Sequence, residues 1–398
     1  MGAMFQHPRL RSPLLVECMI YLAMSMPLGL FGAAWPQERQ QFGQSSGALG
    51  LLVLAYGVGR LSTAATALPI LRRVHIRTAN TVLCVLFVIA DLIAGFGRNF
   101  VVLLICFATI GLLTGALDSL GARFQTLIRN VGSAGLMFGC YGLGAALGPA
   151  VSAVFSWTAG FVLAALLALV AALLALRPQV DWPDGLVEPR RHKTSSVSAV
   201  PTAPLVASLL AIAGFCALEA TTANWSATYL ETARGAGAVA ASLAVSGFWV
   251  GITFGRLFLG RLHWAPSQIL RFAGVTVAVI LLLILLLPPQ FGLFGFTFLG
   301  LALAGIFPTL LSTTADRVGR SAAGRVSGQQ LITANLAATC VSSALGLLVA
   351  RSGAQVIIFV LLALSLFAVP ALFLCTRQLD AGAPDSDELS TTQHESAP

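Results

Sequence analysis

The chain has 398 residues, 57% of them hydrophobic and 10% charged, with a net charge of +8 and a mean hydropathy of +0.88. A soluble domain carries about 25% charged residues, so this composition excludes an ordinary soluble enzyme and points to a chain built for a bilayer. The positive charge does not read as a nucleic-acid surface, because the basic residues are scattered between apolar runs instead of clustered on a polar face.

A helical span needs about 20 mostly apolar residues. Twelve runs qualify, six of them at 14–36, 47–70, 78–97, 101–124, 132–155 and 158–176. The other six lie at 204–230, 238–262, 268–288, 292–314, 323–349 and 353–376. The first run follows His7, Arg9 and Arg11 as a signal peptide would, but its length and the many spans after it make it an uncleaved first helix. Glu17 lies near its start, where a long side chain can snorkel to the interface. Asp91 is mid-span in the third run and has no evident partner.

Between the two sets, RPQVDWPDGLVEPRRHKTSSVSAVPTA (177–203) is rich in Pro and Ser and reads as a linker. The acidic tail, 377–398, reads as disordered. The expected organisation is therefore all-α: a six-helix bundle over 1–176, a linker, a second six-helix bundle over 204–376, and a tail. Basic residues set the orientation. With both termini in the cytoplasm, the outer loops hold only Arg39, Arg98, Arg234 and Arg351, while the other side holds most of the remaining arginines.

Two arginines lie inside spans and expose a repeat. AYGVGRLST (55–63) and WVGITFGRLFLG (249–260) share Gly-Arg-Leu, placing Gly59 and Arg60 in the second span of one half and Gly255 and Arg256 in the same span of the other. GLLTGALD (111–118) likewise echoes GLALAGIFP (300–308), with Pro308 in the place of Asp118. Two parallel halves around a central cavity are a transporter plan.

A charge at bilayer depth is costly, and its default reading is functional. Glu219 lies in GFCALEATTANWSATYL (214–230) with no cation in the segment. At 100° per residue, Glu219, Thr222, Ser226 and Tyr229 share one face, with Trp225 at its edge. The residue reads either as a proton- or substrate-binding carboxylate or as a buried acid that locks helix packing. Asp118 shares a face with Gly111, Thr114, Gly115 and Ala122. It is either a coupling acid or the partner of Arg60 or Arg123. Arg60, with Tyr56 and Thr63 on its side, cannot easily shed its proton and must pair with an acid, a carbonyl or an anion. Arg256 lies closer to the cytoplasmic end. Gln330 and Asn335 in the eleventh span can bind a hydroxylated ligand or neighbouring helices.

No cofactor or metal is expected. The cysteines at 18, 84, 106, 140, 216, 340 and 375 fall in apolar runs without a CxxC pair and read as small apolar fillers. GLGAALGPA (142–150) lacks both the spacing and the preceding strand of a dinucleotide fingerprint. Lys193, the sole lysine, lies in the linker, so no P-loop exists.

Over essentially its full length the chain resembles the major facilitator superfamily. GALDSLGARF (115–124), LMFGCYGLGAALGP (136–149) and ALEATTANWSATYL (217–230) resemble the fucose-permease-like sugar:proton symporter branch. That resemblance implies that Asp118 and Glu219 are motif acids, that Trp225 is the motif tryptophan and that Gly148 and Pro149 close the Gly-rich fifth span. The branch's late acid in span 1 is missing from Gly29–Pro36, Ala122 stands where the branch has Asn, and ILRRVHIRT (70–78) lacks the superfamily's loop Asp. GAALGPAVSA (144–153) also resembles the fifth-span motif of drug:proton antiporters.

The expectation is a proton-coupled transporter of a small, sugar-like solute, working as a monomer in the cytoplasmic membrane by alternating access. Proton or substrate coupling falls to Asp118, Glu219 and Arg60. The substrate cavity is expected to hold Tyr56, Thr114, Thr222, Trp225, Ser226, Tyr229, Gln330 and Asn335. Its partners are the solute, protons and lipid, with no nucleic acid. The alternatives are a drug or metabolite antiporter and a non-transporting membrane sensor or assembly partner.

Overall fold

A computed structural model describes residues 8–66, 68–71, 73–128, 131–183, 202–259 and 264–381. Among these the chain is helical, with no strand. The first half comprises α1 (Pro8–Glu38), α2 (Leu49–Thr66), α3 (Leu68–Leu71), α4 (Ile76–Phe96), α5 (Phe100–Ile128), α6 (Val131–Val154) and α7 (Trp157–Ala175). The second comprises α8 (Thr202–Thr228), α9 (Ala238–Leu259), α10 (Pro266–Leu286), α11 (Pro289–Leu303), α12 (Ile306–Ser312), α13 (Thr314–Val318), α14 (Arg320–Ser352) and α15 (Val356–Ala381). Among the described residues eleven helices are long and apolar enough to cross a membrane. In the place of the twelfth, α2 has 18 residues.

Local signals set the ends. Asn99 Oδ1 accepts from the Val101 and Val102 amides at the start of α5, and Ser156 Oγ accepts from Ala159 N at the start of α7. These are N-cap bonds that satisfy amides with no helical partner. Gly319, with φ of 85°, turns the chain from α13 into α14, a backbone that a residue with Cβ rarely adopts.

Several expected boundaries move. The first span starts at Pro8, well before 14, so Glu17 lies more than two turns inside a helix instead of at its mouth. The tenth span is interrupted rather than continuous. Pro308 has no N–H and its ring crowds the carbonyl four residues back, so α11 stops at Leu303 and α12 starts afresh at Ile306. The eighth helix runs on as a π-turn over Tyr229–Ala233. The last helix continues through the start of the expected tail to Ala381. Most of the expected linker, 184–201, and the tail from 382 onward lie outside the described residues.

Within the first half, α1 packs on α6, α2 on α5 and α4 on α7. Within the second, α9 packs on α11, and α15 on α8 and α10. The two sets meet through α2 with α14, α6 with α9 and α1 with α8. Many large apolar side chains, such as Phe155, Leu286 and Leu366, remain exposed on the outside of the bundle, as lipid-facing residues do.

Candidate functional site

The repeated Gly-Arg pair is a packing device followed by a charge. A Cβ on Gly59 would run into the Ala108 carbonyl oxygen of α5, and one on Gly255 into the Ala304 side chain after α11. Each glycine therefore lets its helix lie close against the fourth span of its half. The next residue is rotated by about 100° and turns its arginine toward the space between the halves. Arg60 Nη2 donates to Asp118 Oδ2 at 2.7 Å, joining α2 to α5. Arg256 finds no acid in the interrupted tenth span and pairs instead with Glu219 of α8, Nη2 to Oε1, at 3.7 Å. That distance is an ion pair but too long for a hydrogen bond.

All four charged side chains line one cavity of about 460 Å³ between the halves. Its walls also include Tyr21 and Phe31 of α1, Tyr56 of α2, Tyr141 of α6, Asn224 of α8, Trp249 of α9, and Asn335 and Thr339 of α14. Such a volume suits a small organic ligand, and a mostly apolar wall with a few convergent polar groups is the usual form of such a site.

One end of the cavity is closed. There Gly32 of α1 lies so near α8 that a Cβ would come 2.7 Å from Asn224 Cα. Ser242 Oγ donates to the Ala33 carbonyl at 3.1 Å, Gln37 bonds Glu231, and a Cβ on Gly50 would meet the Ser343 carbonyl oxygen of α14. At the other end the starts of α6 and α14 show no such close approach at two of their glycines. Positions 139 and 328, both Gly, face nothing within 4 Å. That end carries the starts of α1 and α8 and the end of α15.

A model of the Major Facilitator Superfamily matches residues 15–339. The chain belongs to this superfamily. No curated protein matches it. Among solved structures it is similar to a bacterial homologue of the human lysosomal transporter Spinster, inward-facing and unoccupied, with a TM-score of 0.70 at 13% identity, covering 96% of this chain and 100% of that one. It is also similar to a D-xylose–proton symporter, with a TM-score of 0.74 at 14% identity, covering 91% of this chain and 96% of that one. Membership makes it an integral membrane protein and a transporter.

Within this transporter, the structure brings Arg60, Asp118, Glu219, Tyr56 and Asn335 together at the cavity. The other expected cavity residues lie elsewhere. On α8 the lining face is Cys216, Glu219, Ala220, Ala223 and Asn224. It is turned by roughly 110° from the expected stripe, so Glu219 lies where the two faces meet. Thr222 and Ser226 are buried within the second half. Trp225 Nε1 donates to the Ser342 carbonyl of α14 at 2.9 Å. Tyr229 Oη accepts from Arg234 at 3.0 Å, and Arg234 also bonds the carbonyls of Ile284, Leu285 and Leu287 at the end of α10. Thr114 is buried because its face of α5 packs on α2, where Gly111 abuts the Tyr56 backbone. Gln330 lies in a buried network with Ser208 and Thr314, its Oε1 accepting from Thr314 Oγ1 at 2.9 Å. Gly148 is a packing position, set against the Met26 carbonyl of α1, and Pro149 lies beside Gly29.

Glu17 does not snorkel. It is fully buried and accepts from Asn80 Nδ2 at 2.7 Å. Arg123 is not the partner of Asp118; it donates to the Leu71 and Val74 carbonyls at 3.0 Å, closing the ragged end of the second span. Arg317 is buried where a loop residue was expected. It donates to Thr313 O at 3.2 Å, to Ser208 Oγ at 2.9 Å and to Leu310 O, capping the carbonyls freed by the broken tenth span.

The cavity residues that sequence reading missed are mainly aromatic: Tyr21, Phe31, Tyr141 and Trp249. One signal was available. Trp249 is seven residues before Arg256, on the same helical stripe, and the same spacing before Arg60 gives Val53, which also lines the cavity.

Proposed function

We propose that this protein is a proton-coupled secondary transporter that moves a small solute by alternating exposure of the cavity between its halves. The observation that carries the reading is the convergence on one cavity of two repeat-related arginines, each paired with an acid. An arginine keeps its proton, so the acids are where a proton acts. A proton on Asp118 or Glu219 removes the counter-charge and frees the guanidinium for solute. Residues 1–176 and 204–376 are the two rocking bundles joined by the 177–203 linker. Both termini are cytoplasmic, in the cytoplasmic membrane, and the unit is a monomer.

The D-xylose–proton symporter among the similar structures supports a sugar-like solute. The aromatic and apolar wall, including Phe31, Phe138, Phe307 and Leu331, supports a second reading, export of an amphipathic solute in exchange for protons. Reconstituted vesicles test both. Solutes of each class are added to either side while internal pH is followed for wild type, Asp118→Asn and Glu219→Gln. Solute-driven proton movement should fall in both variants. Wild-type flux in both sinks the assignment, and its direction in the native protein decides between uptake and export.

A further inference from the structure

Glu17 takes no part in the cavity ion pairs, yet it is the acid that the first half buries with a single polar partner. It shows no exposed surface, and its Oε1 accepts from Asn80 Nδ2 of α4 at 2.7 Å. Its other oxygen, Oε2, and the Asn80 amide oxygen are both buried without a hydrogen-bond partner. Among the described residues no cation pairs with it. The titratable groups that reach it are Cys18 and Tyr21 of its own helix and Cys84 of α4. Asp118 and Arg60 stand beyond Tyr21 and are paired with each other.

An ionised Glu17 would leave a bare charge and two neighbouring acceptors without a donor, which is the most costly way to bury these groups. One proton on Oε2 removes the charge and supplies the donor that the Asn80 amide oxygen lacks. The site also has a way out. Tyr21 is one helical turn from Glu17 on the same face of α1, and it lines the cavity. Its hydroxyl lies against Gly121 of α5, where a Cβ would meet it, one turn past Asp118.

We propose that Glu17 is a proton-holding site of the first half: a carboxylic acid in a two-point pair with Asn80, exchanging its proton with the cavity through the Tyr21 hydroxyl. In the exchange the acid–amide pair opens and turns the Glu17 O–H toward Tyr21, the O–H bond breaks, and the proton joins the tyrosine oxygen as the tyrosine's own proton passes to the cavity. The return step reverses both, so the tyrosine ends neutral. Asp91 is the contrasting case. It is equally buried and both its oxygens lack partners, but no residue one turn away on its helix lines the cavity as Tyr21 does. The inference needs no solute and stands or falls apart from the coupling roles of Asp118 and Glu219.

Infrared spectroscopy of the full-length protein in lipid tests it through the carbonyl band of protonated carboxyl groups. At neutral pH, Glu17→Gln should lose part of the wild-type band, and Asp91→Asn, measured in parallel, a separate part. In deuterated buffer the Glu17 component should shift promptly, and Tyr21→Phe should slow that shift several-fold while leaving the band itself in place. If the Gln variant does not fold, Asn80→Leu replaces it, and the Glu17 component should change frequency on losing its amide partner. An unchanged band in Glu17→Gln, or an unchanged frequency in Asn80→Leu, overturns the acid–amide pair. Exchange as fast as wild type in Tyr21→Phe overturns the route.

Discussion

Replacing Arg60 by Gln and Asp118 by Asn, singly and together, measures what the first cavity ion pair contributes to stability. The pair is made at 2.7 Å with a guanidinium hydrogen bond to a carboxylate oxygen. A hydrogen bond to a charged group contributes about 1.5–3 kcal/mol. The two side chains are 33% and 27% exposed to the cavity, so screening moves the expectation to the lower end. A coupling energy of about 1.5 kcal/mol follows. The same cycle on Arg256→Gln and Glu219→Gln starts from a 3.7 Å contact without a hydrogen bond. Its coupling should be on the order of 0–1 kcal/mol, as for other screened pairs. The assay is unfolding of the purified protein in detergent, with the coupling taken as the non-additive part of the four stabilities. A coupling at Glu219–Arg256 equal to or larger than that at Asp118–Arg60 would refute the division into a locked and a loose pair.

Three further outcomes follow from the geometry. Thr222→Val and Ser226→Ala should leave stability and transport near wild type, because both hydroxyl oxygens are buried without partners; a loss of transport in either would return them to the site. Arg317→Leu should lower stability by about 1–3 kcal/mol, since it leaves the Thr313 carbonyl without its side-chain donor and takes one of two donors from Leu310 O and Ser208 Oγ, and thermal unfolding reads this directly. A Gly50→Val substitution thrusts a side chain into the Ser343 carbonyl and should hold the closed end apart. A cysteine placed at Ser242, with the native cysteines replaced, should then react with a membrane-impermeant maleimide in that variant and not in its Gly50 parent.

The fold was legible because lipid simplifies the problem. With no water at bilayer depth, backbone groups must bond within helices, so apolar length alone marks the spans. The repeated Gly-Arg-Leu was legible for a similar reason, since close packing and a membrane charge are each rare enough to be seen. What the sequence concealed was rotation about the helix axis. On α8 a turn of roughly 130° separates the face with Thr222 and Ser226 from the face with Ala223 and Asn224. Small polar residues fit either a helix contact or a cavity, so polarity alone does not choose between them. Glu17 was misjudged because α1 begins six residues earlier than expected, nearly two turns, which moved it from the membrane surface into the bundle. Arg317 was misjudged because two of its acceptors are backbone carbonyls, Leu310 and Thr313, which become free where α12 stops at Ser312.

That break also explains why the two halves treat the same arginine differently. In the first half Asp118 answers Arg60 across α2 and α5, and both helices belong to the same bundle. In the second, Pro308 occupies the equivalent place and Arg256 turns to α8. Five residues beyond Glu219 on that helix, about 7.5 Å at 1.5 Å per residue, Asn224 lies against Gly32 of the other bundle at the closed end. Asn224 Nδ2 also donates to Ser342 Oγ at 3.0 Å, and the next residue of α14, Ser343, abuts Gly50. A change in the Glu219–Arg256 pair is therefore one short stretch of rigid helix from the contacts that close the cavity. The Asp118–Arg60 pair is about twice as far from them, ten residues or about 15 Å along α2 from Gly50. On the proposed mechanism the looser pair is the one that reports occupancy to the gate, and the tighter one keeps Arg60 in place while it does so.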